Sequence, residues 1–117
     1  MNIISIFFSI LVAFEHLYIF YLETIITHSP KTSKVFNIEQ EKLKDKTVSV
    51  LLKNQGVYNA LLAILIMISI FKNEIFWIRL LLGYIVLVAI YGGITSNPKI
   101  IYKQGGLAIL SLIISLF

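Results

Sequence analysis

The chain has no cysteine and a single aspartate, Asp45, among its 117 residues. Without a thiol there are no disulfides, no thiol catalysis and no thiolate metal sites, and the redox compartment is left open. One Asp in a Lys-rich stretch, and no Gly-Xaa-Ser-Xaa-Gly string, exclude a Ser-His-Asp hydrolase site. Charge is scarce too. Charged residues make up 14% of the chain and hydrophobic ones 58%, where soluble domains carry about 25% and roughly 45–50%. An ordinary soluble domain is excluded. No Lys or Arg precedes the first apolar run and no small-residue cleavage pattern follows it, so that run is expected to stay as a membrane helix. There is no internal repeat and no low-complexity tract.

What is present is long apolar runs. A membrane helix needs about 20 residues, and four stretches are expected to span: 2–26, 50–71, 75–95 and 100–117. His28-Ser29-Pro30 ends the first, because proline disfavours helix in the residue before it. Lys72-Asn73-Glu74 separates the second from the third, and Ser96-Asn97-Pro98-Lys99 the third from the fourth. The expected fold is all-α, one membrane domain of four spans with up-down connections. The one long connection, 28–49, is basic, and a short interfacial helix is expected in it from about Asn37. Val35 and Phe36 are expected to dip into the headgroup layer.

Orientation follows from the basic residues. Lys31, Lys34, Lys42, Lys44, Lys46 and Lys53 cluster between the first two spans, and Lys99 and Lys103 lie between the last two. The other side has Lys72 and Arg79. The positive-inside rule then places both basic connections in the cytoplasm and both termini outside. The net charge of +4 points to anionic lipid headgroups rather than to nucleic acid.

Glu15 and His16 lie at the middle of the first run, with Glu23 two turns further on. An ionisable group there costs roughly 2.5–3.5 kcal/mol on insertion scales, so it calls for partners, water or a function. At 100° per residue Ser5, Ser9, His16, Glu23 and Thr27 fall within about 40° of one another, and Glu15 lies some 80–100° aside. Asn54, Gln55, Tyr58 and Asn59 spread over about 140° of the second span, with Ser69 on the same side. Trp77, Tyr84, Tyr91 and Thr95 form a stripe on the third, and Gln104, Ser111 and Ser115 one on the fourth. Lipid cannot hydrogen-bond such groups, so each polar face is expected to point inward. The resulting pocket opens to the cytoplasm, is floored by Glu15 and His16 about 12 Å deeper than Glu23, and is closed on the far side by aliphatic side chains.

Adjacent helical residues do not face each other, so a direct Glu15–His16 pair is not expected, and His16 shares its face with Glu23. Glu23 is too far along the helix to share one metal ion with His16, and no His-Glu-Xaa-Xaa-His string or second inward His exists. No metal and no cofactor is expected. The amides of Asn54, Gln55 and Asn59 offer donors and acceptors for a polar ligand, or else hydrogen bonds between helices. The glycines are expected to allow close helix contact, and none forms a phosphate loop.

Glu15-His16-Leu17-Tyr18, then Glu23, then Asn54-Gln55-Gly56-Val57-Tyr58-Asn59, Tyr91-Gly92 and Gln104-Gly105, taken together, resemble the domain of unknown function 1304 family, over nearly the whole chain. The resemblance implies a small bacterial integral membrane protein with these motif residues facing inward, and it names no substrate or reaction. Ala89-Ile90-Tyr91-Gly92 departs from the Gly-Xaa-Tyr-Gly string of that resemblance.

The function expected from these residues is binding or transport of a small polar or cationic solute from the cytoplasmic side. Glu15 and Glu23 would supply charge, and His16 an imidazole that changes protonation near neutral pH. Asn54, Gln55, Tyr58, Asn59, Tyr91 and Gln104 would orient the guest. Expected partners are membrane lipids, the small-molecule ligand and a second copy of the chain, since small transporters combine two halves. Two alternatives remain open at this stage. One is an intramembrane enzyme acting on a lipid or isoprenoid by Glu/His acid–base chemistry. The other is a structural or assembly partner with a solid polar core.

Overall fold

Six α-helices and one π-helical turn follow each other along the chain, and no strand occurs among the described residues. The computed structural model describes residues 1–96 and 98–117. Asn97, expected in the turn between the third and fourth spans, lies outside them. Helix α1 (Ile3–Phe20) continues into the π turn (Tyr21–Ile25), followed by α2 (Pro30–Phe36), α3 (Gln40–Leu43), α4 (Lys46–Phe71), α5 (Ile75–Thr95) and α6 (Lys99–Ser115).

Among the described residues three stretches are long and apolar enough to cross a membrane: Ile3–Ile25, Lys46–Phe71 and Ile75–Thr95. The fourth expected span is helical, but α6 has 17 residues, about 25 Å at 1.5 Å per residue. The chain divides into two compact units, Met1–Ala13 with Ile64–Phe117, and Phe14–Ala63.

Local chemistry sets the boundaries. Asp45 starts α4 four residues before the expected Val50, its Oδ2 accepting from the Val48 amide at 3.1 Å. The turn before α5 runs through Asn73 at φ 54°, a left-handed conformation that asparagine tolerates. In the long connection α3 begins at Gln40, close to the helix start expected near Asn37. It is preceded by a helix that was not expected, α2, which ends at Asn37. Ser29 caps it, its hydroxyl accepting from the Thr32 amide at 3.1 Å, and Pro30 takes the first helical position. Asn37, at φ 55°, supplies the left-handed C-terminal cap.

In the first unit α5 packs on α6 through small residues. A Cβ at Gly105 would come 2.9 Å from that of Ala89, and one at Gly93 would press on Ile101. Ile78, Leu82, Ile85, Ala89 and Gly93 form the buried face of α5. The expected inward stripe on this helix is therefore corrected. Trp77, Tyr84, Tyr91 and Thr95 are exposed. Because α5 is apolar nearly all round, the small residues that admit α6 decide its facing, and the bulky phenols fall outside.

Three hydroxyls fasten α1 to α6 in the same unit. Ser9 Oγ and Ser111 Oγ are 2.8 Å apart, Ser5 Oγ donates to Ser111 O at 2.8 Å, and Ser111 Oγ lies 2.8 Å from Ser5 O. All three serines are fully buried. The Arg79 guanidinium donates to Ser115 O at 2.7 Å, closing the C-terminal end of α6.

Candidate functional site

The stripe on the first helix is buried throughout its length. Ser5, Ser9, His16, Glu23 and Thr27 all lie inside, none more than 3% exposed. Glu23 sits in the π turn, where the Ile26 amide bonds Tyr21 O at 3.0 Å, five residues back. Such wide turns are uncommon and recur at functional sites. The turn is closed from outside by Thr32, whose hydroxyl lies 2.8 Å from Leu22 O and 2.9 Å from Ile26 O and takes up carbonyls at the helix end.

Helix α4 meets this turn at a glycine. A Cβ on Gly56 would collide with Thr24 Oγ1 and come 3.1 Å from Glu23 Cβ. Thr24 Oγ1 donates to Lys53 O at 2.9 Å, fixing the register. That close approach brings two carboxamides onto one carboxylate. Gln55 Nε2 donates to Glu23 Oε2 at 2.7 Å, and Asn59 Nδ2 donates to Oε1 at 2.7 Å. Glu23 is 0% exposed, while Gln55 is exposed and Asn59 half-buried. Both donors are neutral, so they satisfy the oxygens without supplying positive charge.

Glu15 and His16 differ in burial. The imidazole is buried, the Glu15 side chain is 23% exposed, and Glu15 Oε1 lies 4.0 Å from His16 Nδ1, at the outer limit of a pairing contact. Glu15 Oε1 is itself buried and has no hydrogen-bond partner among the described residues.

The other expected site residues fall elsewhere. Asn54 is exposed and turns its amide back onto Val50 O of its own helix at 3.0 Å. Tyr58 is 77% exposed and Tyr91 70% exposed. Gln104 is half-buried. Glu15, His16, Glu23, Asn54, Gln55, Tyr58 and Asn59 belong to the unit Phe14–Ala63, and Tyr91 and Gln104 to the other. The close helix contact expected at the glycines is found at Gly56, while sequence reasoning passed over Thr24 and Thr32. Gly56 between Gln55 and Asn59 was a usable signal for a close neighbour such as Thr24; Thr32 had none. No group of three or more His, Asp or Glu able to hold a metal ion occurs among the described residues.

Two open depressions mark this unit. One of about 270 Å³ is lined by Thr24, Thr27, His28 and Lys53 among others and abuts the π turn. His28 Nε2 lies 3.0 Å from Ser49 Oγ at its edge. The larger, about 610 Å³, lies over α2 and α3 and includes Ser33, Lys34, Asn37 and Lys42.

The family model described as "Protein of unknown function (DUF1304)" matches residues 10–116. The chain belongs to the DUF1304 family. A protein of Lactococcus lactis subsp. lactis (strain IL1403), described as "Uncharacterized protein YpaA", is 52% identical to it over 119 residues, covering 100% of both chains. No solved structure matches this DUF1304 chain. The family match takes in the stretch from Glu15 to Asn59 on which the carboxylate–amide cluster stands.

Proposed function

We propose that the protein is a multi-pass protein of the bacterial plasma membrane that binds, and as a dimer moves, a small cationic solute at Glu23. The observation that carries this reading is a fully buried carboxylate whose two oxygens are held by neutral carboxamides. An ionised group in a segment made for lipid needs compensating charge or a proton. Gln55 and Asn59 fix the oxygens in place and leave that charge to a guest. Because Gln55 is exposed, swinging its amide aside uncovers Oε2, and the depression at Thr24 and Lys53 is the approach. Its volume, about 270 Å³, admits a compact amine or guanidine as far as the π turn, while the carboxylate itself lies behind Gln55.

Glu15 supports the same chemistry, since its buried Oε1 has no hydrogen-bond partner among the described residues and only the His16 ring at 4.0 Å, which makes it a second place for positive charge or a donor. The carrier topology has α6 as a short fourth span, the basic connection 28–49 in the cytoplasm and both termini outside. The guest therefore enters from the cytoplasmic end.

The test is uptake of guanidinium and putrescine, each supplied alone, into liposomes carrying the purified protein. The expected result is saturable uptake that Glu23→Gln abolishes and Asn59→Ala weakens at least several-fold, with helicity retained. Uptake and binding of both cations by the wild type no better than by protein-free liposomes overturns the reading.

A further inference from the structure

The face of α5 turned away from α6 carries a repeat of its own. Trp77, Tyr84 and Tyr91 stand seven residues apart, and Leu80, Leu87 and Ile94 follow each by three. All six are exposed, from 49% at Leu80 to 77% at Ile94. Alternating steps of three and four over three heptads form the seam along which paired helices coil left-handed around each other. Any exposed helix face has some spacing of this kind, so the chemistry of the face matters more than the period.

Two features separate it from a face made for lipid. Tyr84 lies nine residues into the 21-residue helix, about 14 Å from its start, and so near the middle of a bilayer if α5 crosses one. The ring is 57% exposed, and no hydrogen bond reaches its hydroxyl among the described residues. Acyl chains offer that hydroxyl nothing. Beside it is Gly83, where an added Cβ meets nothing within 4 Å. Gly93 and Gly105 are needed by the packing of α5 on α6; Gly83 is not. Gly106 on α6 is open in the same way, but Gly83 stands beside the Tyr84 seam, where the missing side chain lets another backbone come close.

We infer that α5 pairs with α5 of a second copy, side by side and in the same direction, with Tyr84 on the seam of a twofold contact and Gly83 at its edge, beside Leu80 and Leu87. This rests on the reading that the chain spans a membrane, and it names the partner that a dimeric carrier requires. A second copy fits better than an unrelated protein for a chemical reason. The seam has no charge, and its mid-depth polar group is a hydroxyl, at once donor and acceptor and so complementary to itself. The area is also adequate. The exposed parts of the six side chains amount to on the order of 700 Å², close to the ~800 Å² each partner gives to a standard interface.

The chain has no cysteine, so single cysteines report proximity cleanly in the full-length protein in native membranes. Leu80→Cys and Leu87→Cys are expected to cross-link into disulfide dimers at least tenfold faster than Leu61→Cys, an exposed α4 position that reports random collision. Adding Gly83→Ile to Leu87→Cys is expected to cut the yield at least tenfold, and Tyr84→Phe several-fold. Circular dichroism of each variant checks that the monomer is folded. Cross-linking at Leu87→Cys no faster than at Leu61→Cys overturns the pairing. Carbonate extraction is run alongside. Protein that stays in the membrane without cross-linking sinks the pairing alone, and protein stripped off by carbonate sinks the membrane reading with it.

Discussion

The Asn59 carboxamide donates to Glu23 Oε1 at 2.7 Å, across 36 residues of chain. With Gln55 on the other oxygen, this is where the first helix and α4 hold each other by polar contacts instead of by shape. A hydrogen bond to a charged acceptor contributes about 1.5–3 kcal/mol, and losing it leaves a buried oxygen unpaired. Asn59→Ala is therefore expected to destabilise the protein by about that amount, read as a lower thermal midpoint in detergent from Trp77 fluorescence. Asn59→Asp places a second carboxylate against the first and is expected to cost more than Asn59→Ala at neutral pH. An unchanged midpoint in both variants would remove Asn59 from any role at Glu23.

Gly56 makes that contact possible, and its substitution tests the packing separately from the charge. A methyl group there runs into Thr24 Oγ1, and overpacking of this kind costs about 1–3 kcal/mol. Gly56→Ala is expected to lower stability in spite of alanine's better helix propensity. Gly106 is the control, since an added Cβ there meets nothing within 4 Å. Gly106→Ala is expected to be neutral or stabilising by up to about 1 kcal/mol. Thr24→Ala in the Gly56→Ala background should recover part of the loss, although it also removes the hydrogen bond to Lys53 O. Opposite signs for the two glycines are the result to look for, and equal effects would refute the contact.

How much of this could be read from residues alone depended on whether one helix or two decided the matter. The first-helix stripe was legible because three ionisable or hydroxyl residues, Ser9, His16 and Glu23, recur at seven-residue steps, and an isolated polar stripe in an apolar helix has one cheap direction to face. Burial of all five expected residues follows from that. The α5 stripe failed the same logic. Phenol and indole are amphipathic and tolerate an outer face, so they do not fix rotation, while Ala89 and Gly93 do so through Ile101 and Gly105, residues on another helix. The short helix Pro30–Phe36 was legible in principle from Ser29-Pro30 and Asn37, both cap signals. Reading Asn37 only as the start of the helix that follows, found at Gln40–Leu43, left the one before it unseen. The π turn has no local signal that we can name.

The serine cluster gives a prediction about stability that is independent of Glu23. Ser9 and Ser111 share a 2.8 Å contact within a buried hydroxyl group. Interhelical hydrogen bonds in membrane proteins average about 0.6 kcal/mol and reach about 1.7. A double-mutant cycle with Ser9→Ala and Ser111→Ala is expected to give a coupling energy in that range. Cation uptake is expected to be unaffected by Ser111→Ala once the protein is folded. A coupling of zero would mean that the cluster is held by neighbours and not by its own bonds.

The number of crossings decides whether the proposed carrier has four spans and both chain ends on one side, and α6 is the element in question. Lys42 and Glu74 flank α4 on opposite ends, so Lys42→Cys and Glu74→Cys are expected to lie on opposite sides of the bilayer. If the basic connection lies in the cytoplasm, as proposed, an impermeant maleimide labels Glu74→Cys in intact cells and Lys42→Cys only after the membrane is opened. Phe117→Cys then distinguishes three spans from four. If α6 crosses, its 17 residues, about 25 Å, must serve a hydrocarbon layer of about 30 Å, which asks for local thinning or snorkelling of Lys99 and Lys103 at the inner surface. Labelling of Phe117→Cys from outside is the expected outcome. Labelling only from inside would make α6 an interfacial helix, put the two chain ends on opposite sides, and end the symmetric four-span carrier. Glu23 would still lie at the end of its helix that leads into the basic connection, because that depends on α1 and α4 alone.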